Sequence, residues 1–406
     1  MTTLINRIWT AFSPPQPAKK DDALKFGVLG AATIAPLALI IPAKSHPEVI
    51  IQAVAARDRR KAEAFAKSNG IPEVKGSYQE IIDDPNIDCV YIPLVNNLHF
   101  EWAARAVRAG KHVLLEKPSA SNSTEAEILF NLPELSAPHG PVLLEAFHNR
   151  FHPSWAFFKS LVKPADVVHV TSHFMLPWWT NSKNDIFFNY NLSGGNIMAV
   201  GTYNLAATRL LFDAEPEECI DCDTKAYTDG VHAKCDYEFK ARFRFPNGGI
   251  GEASSTLRGG TMYRAAYVTV TTKGIVVPDD TLPASQEKRR SQELTISDLI
   301  HGGFWHRIDV TSTFKICDRE TGTVIKKWVE KESHKAYTFE EAGMANLPGE
   351  DYWLSYRHQL EQFVNKIRGR ETQHWVTAED SLVQARMIDM AYEKSGLGLR
   401  PTSSFR

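Results

Sequence analysis

From Leu24 onward the chain repeats one pattern: a short, almost wholly apolar run, a longer amphipathic stretch, then another apolar run. The runs are LKFGVL (Leu24 to Leu29), VIIQAVAA (Val49 to Ala56), DCVYIPL (Asp88 to Leu94), HVLLE (His112 to Glu116) and VLLEAF (Val142 to Phe147). Strands this apolar need cover on both faces, which parallel strands receive from crossover helices. The intervening KAEAFAKSNG and HFEWAARAVRAGK close on Gly70 and Gly110, where a left-handed C-cap requires no β-carbon. The rhythm predicts an α/β fold that opens on a doubly wound parallel sheet of Rossmann type over residues 24–148.

After about residue 150 the texture changes. DYEFKARFRF sets Tyr237, Phe239, Ala241, Phe243 and Phe245 on one face and charges on the other, the period of a strand solvated on one side. Asn247-Gly248 then makes a hairpin turn. With DVVHVTSHFML and AAYVTVTTKGIVV, this predicts a C-terminal α+β domain over 149–406 with a large, mostly antiparallel open sheet, suited to substrate binding and to pairing in a homodimer or higher oligomer. SGGNIMAVGTYNLAATRLLF reads as a helix, and the polar span from 280 to 300 as an inserted loop. Two terminal helices follow, the second opening on the capping box Thr377 to Asp380, and these are placed to pack back on the first domain. Residues 1–23, with Pro14, Pro15 and Pro17, are expected to form a flexible arm.

Composition narrows the function. A net charge of -2 over 406 residues carries no basic surplus for nucleic acid or anionic lipid. No stretch reaches the ~18 apolar residues of a membrane span. The 5 cysteines form no disulfide framework and suit a reducing, cytoplasmic setting. Cys219, Cys222, His232 and Cys235 have zinc-like chemistry but strand-like spacing, so no metal site is expected. A small-molecule partner fits best.

FGVLGAATIAP follows the first strand and places Gly30, Ala32 and Ala35 at the three positions of a phosphate-binding turn. Thr33 and Ile34 complete the turn, although Ala32 adds a methyl where the pyrophosphate approaches most closely. The second strand ends in Arg57 and Asp58. An acid there suits the ribose of NAD, and an arginine suits the 2′-phosphate of NADP; with Arg59 and Arg60 behind, NADP is favoured over NAD.

With these residues, YIPLVNNLHFEWAARAVRAGKHVLLEKPSA, LLEAFHNRFHPSW and SGGNIMAVGTYNLAATRLLF, the chain resembles the Gfo/Idh/MocA oxidoreductases over residues 24 to 400. The resemblance implies a Rossmann domain followed by a domain whose open sheet walls the substrate site. It places the lysine of the EKP motif at Lys117 and the catalytic tyrosine of the sugar and dihydrodiol branch at Tyr203. Pro93, Asn96, His99 and Glu116 then border the nicotinamide. The aspartate usual before that tyrosine is replaced by Ala199.

Oxidising an alcohol needs a hydride acceptor and a base. A tyrosine, with an ordinary pKa of ~10, acts as that base only beside a cation, and Lys117 is such a cation. Arg150 and His152 either grip substrate hydroxyls or orient the start of the second domain. Trp178 and Trp179 either stack on a sugar face or pack. The sequence thus predicts an NADP-dependent dehydrogenase, with D-xylose or another aldose as first choice of substrate. Alternatives are a trans-dihydrodiol or other cyclic alcohol, a ketosugar in reduction, or a cofactor-binding regulator without turnover.

Overall fold

The computed structural model describes residues 4–344 and 347–405. The five apolar runs become β1 (Leu24–Leu29), β2 (Val49–Ala55), β4 (Cys89–Ile92), β5 (His112–Leu115) and β6 (Leu143–Glu145) of one six-stranded sheet, which the two-residue β3 (Glu73–Val74) completes. Their order is β3-β2-β1-β4-β5-β6, and all five neighbouring pairs are parallel. The order reverses between β1 and β4, and the carboxyl ends of strands at such a reversal leave a crevice for ligand.

The second sheet comprises β7 (Val167–Pro177), β8 (Glu218–Ala226), β9 (Asp236–Arg244), β10 (Ile250–Gly259), β11 (Arg264–Thr272), β12 (Ile275–Val277), β13 (Gln286–Ser297), β14 (Arg307–Asp318) and β15 (Val324–His334). Its order is β15-β14-β13-β11-β7-β10-β9-β8, with β12 beside β13. Only β7 and β10 run parallel; the other pairings are antiparallel. The hairpin between β9 and β10 turns at Gly248, whose φ of 79° is open to glycine. One face of this sheet is covered by helices, among them Thr202–Phe212 and Ala378–Ser395, around a core that includes Phe239, Phe243 and Leu211.

Two expectations fail here. The polar span from 280 to 300 is largely β13, an interior strand paired on both sides with β11 and β14. Its period of two is hidden because only Leu294 and Ile296 are buried, while Glu287 to Glu293 alternate between the faces with polar side chains that are half-buried or exposed. The flexible arm is also a misreading. Leu4–Phe12 is a helix ending before the prolines, and Arg7 points inward, only 5% exposed. Its guanidinium donates to the carbonyls of Gly303 and Phe304, each at 2.7 Å, and lies 3.5 Å from the centroid of the Tyr337 ring. Further along, Lys19 Nζ donates to the carbonyl of Ala43 at 2.6 Å, anchoring the segment to the first domain.

The helix Ser355–Ile367 packs on the first sheet, with Phe363 6.0 Å from Phe26 of β1. Phe26, Phe174, Tyr203 and Phe363 share one core cluster, so apolar packing runs without interruption from one sheet to the other. No helix among the described residues is long and apolar enough to cross a membrane.

Candidate active site

The ends of β1, β4 and β5 open on a cleft formed by two adjoining cavities. The inner one, about 640 Å³, is lined by Ala32, Thr33, Ile34, Pro93, Asn96, His99, Glu116, Lys117, Ala199 and Tyr203. The outer one, about 780 Å³, is lined by Gly30, Ala32, Arg57, Asp58, Lys61, Tyr78 and Trp102. Every residue expected from the sequence to hold the dinucleotide therefore lies along this cleft.

A phosphate-bearing ligand fits the turn between them. Gly30 has φ 111°, and a β-carbon there would sit 3.0 Å from Leu94 Cδ2. Ala35 is fully buried where the following helical segment meets the sheet. Ala32 is accommodated at the junction of both cavities. At the outer end Asp58 is the N-cap of the helix Arg59–Asn69, accepting from the amides of Arg60 and Lys61 at 2.9 and 3.3 Å. That capping leaves Arg57 and Lys61 as cations lining the outer cavity, with Trp102 and Tyr78, 5.1 Å apart edge to face, as its aromatic wall. Lys61, Tyr78 and Trp102 were not legible beforehand, because they become neighbours only through the crossover of the strands.

At the inner end Lys117 stands just past β5, joined to Pro118 by a cis peptide. Its Nζ donates to the carbonyl of Ala199 at 2.7 Å and lies 4.8 Å from the centroid of the Tyr203 ring. The two residues meet, but the ammonium faces the ring and not the hydroxyl. Burial lowers the pKa of Lys117, opposed by the carboxylates of Glu116 and Glu145. Glu116 accepts from the Tyr91 hydroxyl at 2.8 Å, and burial raises its carboxyl above the usual range. Burial also raises the Tyr203 phenol well above its ordinary value, aided by Tyr356 and Glu116. Tyr203 is therefore a protonated phenol at neutral pH in this arrangement.

His99 lines the cavity, yet its ring nitrogens face backbone carbonyls, Nδ1 at 2.7 Å from Pro118 O and Nε2 at 2.9 Å from Leu94 O. Burial pushes its pKa down to about 4, so the neutral ring donates to only one of these carbonyls, and with both nitrogens turned to the backbone it offers neither to a ligand. Asn96 Nδ2 is likewise engaged, donating to Ser193 O at 3.0 Å. That bond ties the first domain to a strap whose Asp185, Ile186, Phe187 and Leu192 roof the cleft.

The substrate-gripping residues are placed elsewhere. Arg150 pairs with Asp380 at 3.0 Å and with His374 Nε2 at 3.1 Å, and it lines neither cavity of the cleft. His152 caps the helix Pro153–Leu161 and packs edge-on to His306 and His358, so it orients the start of the second domain. Trp178 and Trp179 are 52% and 62% exposed beyond β7, outside the cleft, with Trp179 Nε1 donating to Thr261 O at 3.0 Å. Tyr356, which the sequence did not single out, does line the inner cavity.

Comparison with known proteins supplies a lineage for this geometry. Residues 24–135 match the Gfo/Idh/MocA oxidoreductase family with its NAD-binding Rossmann fold, and residues 165–277 match the C-terminal domain of the same family. The chain belongs to the Gfo/Idh/MocA oxidoreductase family. Its members here include a D-xylose 1-dehydrogenase (NADP(+)) of Haloferax volcanii, 38% identical over 52% of this chain and 64% of that protein. A trans-1,2-dihydrobenzene-1,2-diol dehydrogenase of Xenopus laevis is 31% identical over 47% of this chain and 56% of its own length. The matched region thus spans less than two thirds of these relatives. Among solved structures, a 3-ketoreductase from Actinomadura kijaniata in complex with NADP and TDP-benzene superposes with TM-score 0.67, at 20% identity, over 92% of this chain and 98% of that one. That likeness concerns the fold.

Proposed function

We propose that the protein is an NADP-dependent dehydrogenase that moves a hydride between the nicotinamide and a sugar or cyclic alcohol, with an aldose such as D-xylose oxidised at C1 as the first substrate to test. The observation that carries this reading is the meeting of Lys117 and Tyr203 in an inner cavity that continues directly into the dinucleotide cleft. Arg57 and Lys61 at the far end support NADP over NAD through charge-assisted contacts to a 2′-phosphate.

The bound nicotinamide supplies the hydride acceptor. The protein's own residues do the rest. In oxidation the C–H electron pair leaves as hydride, the hydroxyl proton passes to the Tyr203 oxygen, and the carbon–oxygen double bond forms. Tyr203 must first lose its proton to solvent water through the open cavity before substrate closes it, and Lys117 Nζ, swinging from the Ala199 carbonyl to the phenol oxygen, stabilises the phenolate. In reduction the phenol already holds the proton that the alkoxide requires. Ile186 and Phe187 roof the cavity and exclude water, which strengthens these charges on one another.

Purified protein mixed with NADP or NAD and a panel of aldoses, polyols and dihydrodiols tests the reading through the absorbance of reduced nicotinamide. Turnover with NADP and at least one aldose or cyclic diol is expected. Tight NADPH binding with no turnover on any substrate would overturn it in favour of a cofactor-binding regulator. The protein is proposed to act as a homodimer in the cytoplasm.

A further inference from the structure

Two tyrosines enter the inner cavity from distant parts of the chain. Tyr203 belongs to the helix Thr202–Phe212 and Tyr356 to the helix Ser355–Ile367. They share one imidazole: His148 stacks on Tyr356 with centroids 3.9 Å apart and meets Tyr203 edge-on at 5.6 Å. That imidazole is held in turn by Ser355 Oγ, 2.8 Å from Nδ1. Both tyrosines are nearly buried, 5% and 6% exposed.

Among the described residues neither phenolic hydroxyl has a hydrogen-bonding protein partner, and both residues line the cavity. Each hydroxyl is instead open to the cavity, so each marks a place where a ligand oxygen is welcome. A tyrosine that served packing alone would satisfy its hydroxyl within the protein or present it to bulk solvent. Position 199, where a carboxylate is usual, is alanine, its carbonyl already accepts from Lys117, and the carboxylates that do line the cavity are engaged, Glu116 by the Tyr91 hydroxyl and Asp185 by the amide of Phe187. The second polar contact has to come from another element, and Tyr356 is placed to make it.

We propose that Tyr356 binds the hydroxyl on the carbon next to the one that reacts, so that the unit recognised is a vicinal diol, or an α-hydroxy ketone in the reductive direction. This rests on the reading that Tyr203 and Lys117 meet the reacting oxygen. Both phenols flank the same imidazole and open on one cavity, so a single substrate can meet both. The ring of Tyr356 is held by its stack on His148, so only the hydroxyl makes the selection. Aldoses and cyclic dihydrodiols share this unit despite their different skeletons.

The test uses Tyr356→Phe, which keeps the stacked ring, and two probes, trans-cyclohexane-1,2-diol and cyclohexanol. Wild-type protein should favour the diol about tenfold to hundredfold in kcat/KM, as a site built around a hydroxyl rejects the analogue lacking it. The variant should fall to within about threefold between the probes, mainly through a higher KM for the diol, with NADPH affinity and melting temperature unchanged. Binding to the NADPH-saturated protein, where oxidation cannot proceed, gives a readout separate from turnover. Selective diol binding that is lost in Tyr356→Phe sustains the inference even when no turnover is seen, an outcome that would sink only the dehydrogenase reading. Turnover with an undiminished diol preference in the variant overturns the inference and leaves that reading standing. Equal binding of both probes by the wild type, or binding of neither, also overturns it.

Discussion

Lys117→Met separates a catalytic lysine from a structural one. The substitution removes the Nζ bond to the Ala199 carbonyl, a charge-assisted contact of about 1.5–3 kcal/mol, and the contact over the Tyr203 ring, about 0.5–2 kcal/mol. Against these losses stands the cost of holding an ammonium largely out of water in the cavity wall, several kcal/mol even where carboxylates lie nearby. Methionine fills nearly the same volume with a flexible apolar chain. Glu116 and Glu145, already raised toward protonation by burial, take up protons when the cation goes, which limits any penalty from unpaired charge. The balance is neutral to stabilising by about 1–2 kcal/mol, so the melting temperature should hold or rise. Turnover should fall by about 10²–10⁴, since nothing then stabilises the Tyr203 phenolate against burial. Scanning calorimetry and steady-state kinetics on the same preparation read both quantities. A melting temperature lowered by ten degrees with turnover retained would refute the argument, because Lys117 would then be a strut.

Other outcomes follow from the same geometry. Arg57→Ala should weaken NADP about tenfold to hundredfold and NAD hardly at all, as measured by fluorescence titration of the reduced cofactors; equal losses count against the 2′-phosphate assignment. Arg7→Ala removes two buried charge-assisted bonds and should release the helix Leu4–Phe12, so that limited proteolysis cuts between residues 13 and 23 several-fold faster; an unchanged cleavage rate would contradict the docking. Buried His99 and His306, with pKa lowered to about 4, and His358, to about 3, remain neutral in the folded protein but take protons near 6.5 when unfolded. Their contribution is present above pH 6.5 and is lost as pH falls toward 4, at about 2 kcal/mol per histidine by pH 5. Urea denaturation should show that acid-side loss, and stability unchanged down to pH 5 would speak against it.

The first domain was legible because its strands are buried on both faces and so read as uninterrupted apolar runs, each ending in a glycine, proline or charge that marks the cleft. Gly30, Arg57 and Lys117 all stand at such strand ends, which made them visible without coordinates. β13 was not legible, since a strand in the middle of a one-sided sheet shows polar side chains wherever its covered face is thin. The helix Leu4–Phe12 was missed for a related reason: Arg7 breaks an apolar pattern, yet backbone carbonyls at Gly303 and Phe304 accept it, and no local signal announces partners that distant. Arg150 and His152 looked functional by side-chain type alone. Their partners, Asp380, His374, His306 and His358, lie in the last half of the chain and turn them to structural use. Tyr356 illustrates the converse, an ordinary tyrosine in an amphipathic helix that the packing of Phe363 on Phe26 carries into the cavity.

The central claim, that the cavity at Lys117 and Tyr203 is where hydride moves, meets its most direct test in isotope transfer. Protein loaded with NADP is mixed with an aldose deuterated at C1, or a cyclic diol deuterated at its carbinol carbons, and the recovered nicotinamide is analysed by mass spectrometry and NMR. The account predicts one deuterium at the nicotinamide C4 position per turnover, and its disappearance in Tyr203→Phe although the cofactor still binds. Label transfer that persists undiminished in both Tyr203→Phe and Lys117→Met, or none from any substrate in cofactor-saturated wild type, would contradict it.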